Sequence, residues 1–413
     1  MKNKSRIRTF GMWMLAFLLS LGTSQWAQAQ TFSVLYTFNS RVGDANNPEA
    51  GLIRDTAGNL YGTTFTGGAF GGGTVFELSP ATGGSWTETI LHSFGGTGDG
   101  ANPVAGLVRD SKGNLYGTTL VGGASNYGTV FRVSPVTGGG WTESVLYSFT
   151  GGTDGRSPYY GTLVLSGGYL YGTTYLGGDL SCIDVLGCGV VFRVKATGGH
   201  ESVLHSFNYI GGTSTDGAYP FGGLIRDAAG NLYGVTNGGG LDGGGVVFEL
   251  SPAAGGGWTE TLLHTFIQPD GLNSMAGLVR DKSGNLFGTT TGSGLIPGAI
   301  GTVFEVSSAG VESLPHLFAG PPADGASPTS NLIVDSKGNL YGTTPGGGTS
   351  NGGVIFKLTP AGGGWNETIL YNFTGGTDGS GPQGTLLRDS AGNLYGTTYV
   401  GGAGGGVAFK FHP

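Results

Sequence analysis

An aspartate returns at one fixed place along the chain, at Asp44, Asp99, Asp154, Asp216, Asp270, Asp324 and Asp378. Each stands 15 residues before the Asn59-type position of a recurring motif. Seven carboxylates on one face of a closed structure could ring a hard cation such as Ca²⁺. Alternatively, each closes a local turn through its side-chain oxygens. A sevenfold ring is wider than one ion needs, which favours the turn. A second recurring acid, at Asp55, Asp110, Asp227, Asp281, Asp335 and Asp389, belongs to an Asp-x-x-Gly-Asn hairpin, with Leu165 in its place in the third copy. Arg54, Arg109, Arg226, Arg280 and Arg388 recur just before it and are expected to pair with neighbouring aspartates.

His92, His205, His264 and His316 share one position with Tyr36, Tyr147 and Tyr371. A position that accepts His or Tyr reads as aromatic packing with a polar tip, not as a general base. Glu88, Glu143, Glu201, Glu260, Glu312 and Glu367 recur nearby and are expected to face solvent. Catalysis needs a unique constellation, and a residue present in every copy usually serves the repeat. The informative places are where repetition breaks. The third copy carries an insertion with Cys182, Asp184 and Cys188, close to Asp179. Nearby cysteines without a histidine pattern point to a disulfide. Phe70, Tyr127, Tyr159, Tyr160 and Tyr219 are loop aromatics with no role in the repeat. Such rings on a rigid scaffold suit flat ligands such as sugars or peptides. No Ser/His/Asp order, phosphate-binding glycine loop or zinc-spaced histidine cluster is present.

The elements that position these residues follow from the repeat. A Leu-Tyr-Gly or Leu-Phe-Gly core sits at Leu60, Leu115, Leu170, Leu232, Leu286, Leu340 and Leu394, a period of 54 to 62 residues. A period of that size means one supersecondary unit stacked on itself. Each unit holds four short β-type runs, here a to d, separated by Gly, Pro, Asp or Ser clusters. In the first unit a is 52–54, b is 60–64, c is 74–78 and d is 87–94. Run c carries Phe in every copy, as at Phe76, and so does run d, as at Phe94. The glycine after the Leu-Tyr pair, Gly62 in the first copy, weakens a strand and implies close approach by a bulky neighbour, expected from the adjoining unit. The chain opens on a d-type run, Phe32 to Phe38, and ends on a c-type run, Gly406 to Phe411. An open solenoid has no use for that offset, whereas a ring does, because one borrowed strand closes the circle. The expected fold is all-β: a seven-bladed β-propeller of four antiparallel strands per blade, with the N-terminal strand completing the last blade. Unit cores lie near 51–94, 106–149, 161–207, 223–266, 277–318, 331–373 and 385–411 plus 32–38.

Residues 1–29 read as a signal peptide, with basic Lys2, Lys4, Arg6 and Arg8, an apolar run too short to span a bilayer, and a small-x-small site ending at Ala29. Export is therefore expected, with no lipid-attachment cysteine and no anchor segment before Pro413. Residues 30–413 form one domain. Without the leader, 15 basic residues face 26 acidic ones. That balance argues against nucleic acid and anionic membrane surfaces as partners.

These residues resemble the Gloeo/Verruco (GloVer) tandem repeat family. The Gly-Asn-Leu-Tyr-Gly-Thr-Thr, Gly-Gly and Gly-Thr-Val-Phe pieces occur at Gly113 to Thr119, Gly122-Gly123 and Gly128 to Phe131. The resemblance covers essentially the whole chain after the leader. It implies an exported repeat protein and brings no activity with it. The leading expectation is a non-enzymatic binding scaffold for an extracellular polysaccharide or an exported protein. The alternatives are a carbohydrate-active hydrolase or lyase using Asp179 or Asp184, and a structural surface component.

Overall fold

The computed structural model describes residues 30–39, 43–182, 186–210, 216–268, 270–292 and 296–413. The expected leader and Asp184 lie outside them. Seven four-stranded antiparallel sheets account for the core. In the first blade strands a to d are Ile53–Arg54, Leu60–Thr64, Thr74–Pro80 and Trp86–Ser93. In the seventh, strands a to c are Leu387–Arg388, Leu394–Thr398 and Gly404–His412, and Thr31–Asn39 supplies strand d. Phe32 pairs with Phe411 and Val34 with Phe409, so the chain start closes the ring.

The Asp-x-x-Gly-Asn hairpin forms because its aspartate satisfies the turn. Asp55 accepts hydrogen bonds from the Asn59 backbone N–H at 2.9 Å, the Asn59 side chain at 3.1 Å and the Tyr61 hydroxyl at 3.1 Å. Gly58 takes φ +96°, where a Cβ would be strained. Burial alone would raise the Asp55 pKa, but these bonds hold it below the usual range. The expected arginine pairing is present at two of the five positions: Arg54 reaches Asp389 and Arg280 reaches Asp227, each at 3.5 Å, whereas Arg109 and Arg388 lie over the rings of Tyr61 and Tyr341. In the third copy, which lacks the aspartate, Arg226 meets Ser166 Oγ at 3.1 Å instead.

Gly62 is crowded from within its own blade, not by the adjoining one. A Cβ there would stand 2.6 Å from Phe76 Cζ and 2.9 Å from Leu52 Cδ2. Phe76 is the cross-strand partner of Gly62, and its ring folds back over the bare backbone. The same contact recurs at Gly117 under Phe131 and Gly172 under Phe192. The threonines of Gly-Thr-Thr divide their labour. Thr63 donates to Ala105 O in the next unit at 3.0 Å, whereas Thr64 meets Thr74 across its own sheet at 2.8 Å.

Blades join through phenylalanine pairs. The strand-d ring of one blade packs edge-on against the strand-c ring of the next, as Phe94 against Phe131 at 4.9 Å and Phe149 against Phe192 at 5.1 Å. The closing junction repeats it, with Phe38 against Phe76 at 5.1 Å. Strand d also carries a bulge. Val75 pairs with His92 while Phe76 pairs with Ile90, so Leu91 is the extra residue. The slip flips the face presented on either side of it. His92 and Phe94 face the following blade, and Glu88 and Trp86 face the preceding one. Links d–a and b–c lie on one face of the ring, zipped by short ribbons such as Gly100–Ala101 with Val121–Gly122.

Two outcomes follow. Deleting residues 30–40 removes Phe32, Phe38 and the strand that covers the last blade, so the melting temperature should fall by on the order of 10 °C or more. An unchanged melting curve would refute closure. Gly117→Val should cost about 1–3 kcal/mol in denaturant unfolding, because the new methyl groups must displace Phe131; a neutral result would contradict the Gly–Phe contact.

Candidate functional site

Two groups of side chains are assembled on this frame, one repeated around the rim and one at the channel mouth. The rim group gathers the seven recurring aspartates, but not into one ring. Each lies in its own crevice between two outermost strands. Asp99 accepts from Gly100 N–H at 2.6 Å and meets His92 Nε2 at 2.8 Å. Asp154 accepts from Tyr147 OH at 2.9 Å and from Thr150 N–H at 2.8 Å. Asp378 repeats this with Tyr371 and Thr374. Asp44 binds Ala45 N–H at 3.0 Å, and Asp270 lies 3.3 Å from His264. Asp216 and Asp324 face His205 and His316 at 3.4 and 3.2 Å. The local-turn reading therefore describes these aspartates, and no single ion can touch them all.

The recurring glutamates do not face solvent. The strand-d bulge turns each into the crevice of the preceding blade. Glu88 accepts from Tyr36 OH at 3.0 Å, and Glu367 Oε1 lies 3.4 Å from His316 Nε2. Burial first, then the nearby aspartate, pushes Glu88 up to about 8. The same causes push Glu143 and Glu201 up to about 7. The His/Tyr position is thus more than a packing position, since its polar tip meets a carboxyl group in each crevice, and at His205 and His316 one from each of two neighbouring blades. In the seventh blade Phe32 takes the glutamate's place and stacks on Tyr371 at 4.1 Å, with the planes 8° apart.

The second group sits where the d–a links converge on the central channel, a narrow cavity of about 270 Å³ between the strand-a segments. Tyr159 and Tyr160, from the link before the third blade, pack at 4.7 Å. Phe221, from the next link, lies 4.9 Å from Tyr159 and 4.5 Å from Tyr175. Tyr219 lies 5.2 Å from Tyr175. Tyr219 also takes φ +60° where other copies carry Asn47, Asn102 and Asn273. A bulky residue in the left-handed region costs about 1–3 kcal/mol and marks a constrained site. Tyr160 donates to Glu49 at 3.1 Å, and Glu49 is 9% exposed. Burial pushes the Glu49 carboxyl up to about 6, opposed by the Tyr160 hydrogen bond. Burial, then the Glu49 charge, raises the Tyr160 phenol above its ordinary value.

Of the sequence-chosen residues, Tyr159, Tyr160 and Tyr219 come together, while Phe70, Tyr127 and Asp179 stay apart from them. Phe70 is 66% exposed and lies over Gly95. Tyr127 packs under Arg156 at 5.2 Å. Asp179 accepts from Ser181 N–H and Oγ at 2.8 and 2.7 Å, bonds that lower its pKa, and lies beside the Asp154 and Glu201 crevice. A disulfide joins Cys182 to Cys188, both buried. Sequence reasoning missed Glu49, Tyr175 and Phe221. Glu49 and Phe221 occupy places without a polar or aromatic counterpart in every copy, a signal that comparing the links would have revealed.

Solved structures similar to this one are propeller proteins. The extracellular domain of a hybrid two-component system protein from B. thetaiotaomicron superposes with a TM-score of 0.57 at 12% identity, over 92% of this chain and 39% of that one. An ancestral GH74 enzyme gives 0.57 at 11%, over 91% and 50%. The chain thus spans half or less of the length of both. Puromycin hydrolase, as an S511A mutant, gives 0.52 at 11%, over 86% and 50%. At these identities the likeness is one of fold alone. No curated protein matches the sequence. The Gloeobacter/Verrucomicrobia repeat model matches residues 23–186 and 181–409, and the chain belongs to that family.

Proposed function

We propose that this is an exported, non-enzymatic binding propeller whose ligand, an extracellular polysaccharide or an exported protein, docks at the channel mouth of the d–a and b–c face. The observation that carries the reading is the convergence of Tyr159, Tyr160, Tyr175, Tyr219 and Phe221, from links flanking the third and fourth blades, beside the buried Glu49. Half-buried rings offer apolar faces whose geometry is already fixed, so little side-chain entropy is lost on binding. The left-handed Tyr219 supports the same site, because the other copies place a small residue there, Asn47, Asn102, Ser157, Asn273, Ser327 or Gly381. The inserted disulfide loop stands on the same face. Export rests on the basic and apolar character of residues 1–29, and the disulfide suits an oxidising compartment.

Glu49 favours one second reading, a hydrolase acting on sugar polymers. Its carboxyl holds a proton near neutral pH more readily than an ordinary glutamate, as a general acid must. Glycoside hydrolysis uses two carboxyl groups astride the bond, however. The electrostatics of Glu49 are set by burial and the Tyr160 hydroxyl.

Incubating the protein with a panel of polysaccharides separates these readings when retention and released sugar are scored together. Retention without release is expected. Tyr159→Ala with Tyr160→Ala should weaken retention by about tenfold or more, corresponding to about 1.4 kcal/mol. Unchanged retention in that double variant would reject the site. Sugar release that Glu49→Gln abolishes would replace binding with hydrolysis, and concentration-dependent self-association with no retention would point to a structural surface component.

A further inference from the structure

The rim crevices carry a second property, independent of the channel mouth. In three of them an imidazole nitrogen and two carboxylate oxygens from adjoining blades lie within 4.8 Å of one another: His92, Asp99 and Glu143; His205, Asp216 and Glu260; His316, Asp324 and Glu367. We propose that these crevices are divalent transition-metal sites, each taking one ion such as zinc through histidine Nε2, the aspartate and the glutamate.

Ligand type and spacing both fit. One imidazole with two carboxylates is a borderline-hard donor set suited to zinc. Ligands at 2.0–2.2 Å from a tetrahedral ion stand roughly 3.3–3.6 Å from each other. His316 Nε2 is 3.2 Å from Asp324 Oδ2 and 3.4 Å from Glu367 Oε1. His205 Nε2 is 3.4 Å from Asp216 Oδ1 and 3.6 Å from Glu260 Oε1. At His92 the aspartate is closer, 2.8 Å, and would have to open slightly.

A separate observation points to a missing partner. Glu143 Oε1, Glu260 Oε1 and Glu367 Oε1 are each shut off from solvent and without a hydrogen bond, as are Glu88, Glu201 and Glu312 Oε1, but only in the first three does an imidazole complete a set of donors within 4.8 Å. A buried carboxylate oxygen without a partner is costly, and a cation beside it removes that cost. The donors are also held in place. Asp324 accepts from Ala319 N–H at 2.7 Å, and the His316 ring sits edge-on to Phe318 at 4.6 Å.

At His264, Asp270 and Glu312 the same donor types occur but do not all lie within 4.8 Å of one another, so that crevice is not counted. The remaining three crevices act as internal controls. At Tyr36 and Tyr147 a phenol occupies the histidine's place and donates its proton to a carboxylate. At the seventh junction the glutamate is Phe32, sealed against Tyr371. A bound ion would bridge the outer strands of two blades, so loading should stabilise the ring.

The test titrates zinc chloride into the full-length, chelator-stripped protein against a chromophoric competitor and follows the melting temperature in parallel. Three zinc ions per chain are expected, matching the three crevices, with a rise in melting temperature of several degrees. Calcium chloride should do neither. His316→Tyr copies the pairing found at Tyr147, keeps a hydrogen-bonding ring in the crevice, and should lower the stoichiometry by one. Glu367→Gln should do the same. No zinc uptake at micromolar concentration would overturn the proposal, as would a stoichiometry unaltered in both variants or a response to calcium alone. A variant with an unaltered melting temperature before zinc is added shows that its loss of binding is not unfolding.

Discussion

The edge-on contact between a strand-d phenylalanine and the strand-c phenylalanine of the next blade is the interaction on which the ring depends. Charged residues make up only 11% of the chain and glycine 88 of 413 residues, so few side chains are large enough to weld one sheet to another. Each fully buried ring removes roughly 150–250 Å² from water, and Phe38, Phe94, Phe149, Phe207, Phe266 and Phe318 are all completely buried. The second ring of each pair does two jobs. Phe131 meets Phe94 across the junction and covers Gly117 within its own sheet. The glycine is therefore a consequence of the phenylalanine. A Cβ at position 117 would push the ring out of the plane in which it meets the neighbouring blade.

The bulge in strand d extends that logic from apolar to polar contacts. Without the extra residue, His92, Ile90 and Glu88 would share one face, and the histidine and glutamate of one strand would both lean toward the same neighbour. The slip at Leu91 sends them to opposite sides. Every junction but the one sealed by Phe32 then receives an imidazole or phenol from one blade and a carboxyl from the other, closing over the aspartate between them. A carboxyl pair at the rim would repel if fully ionised, so the raised glutamate values and the hydroxyl and imidazole partners are two answers to one electrostatic problem.

Much of this was legible in the sequence. Blade number, strand order and the closing strand follow from the repeat and from the offset between chain start and chain end, because period-2 strands and turn residues are local signals. The pairings of Arg54 and Arg280 were legible too, since opposite charges recur in fixed register. What could not be read was side-chain direction across a bulge. Strict alternation puts Glu88 on the same face as His92, and one unpaired residue sends it to the other side. Gly62 was correctly expected to be crowded, but its crowding ring belongs to the same sheet, a cross-strand relation that spacing alone leaves open. At the mouth, Tyr159, Tyr160 and Tyr219 stood out as departures from the repeat, whereas Glu49 looked like any loop acid. Its significance lies in contact with Tyr160, 111 residues away, and no local pattern encodes that contact.

The two candidate sites break the repeat in opposite ways. At the rim, variation is confined to a choice between histidine and tyrosine, or glutamate and Phe32, at positions present in every blade. Such variation tunes how each junction is bridged and leaves the scaffold intact. At the mouth, variation is concentrated in the links around the third and fourth blades, where the disulfide insertion, the aromatic cluster and the left-handed Tyr219 occur together. A sevenfold scaffold presents equivalent loops to any partner, so a ligand can be held in one orientation only where the equivalence is lost. Tyr219 is the sharpest case. Asn47, Asn102 and Asn273 hold the same backbone conformation with a side chain that tolerates it, so stability alone gives no reason for a tyrosine there. What distinguishes Tyr219 is the ring it places against Tyr175, on the one stretch of the face that differs from the rest.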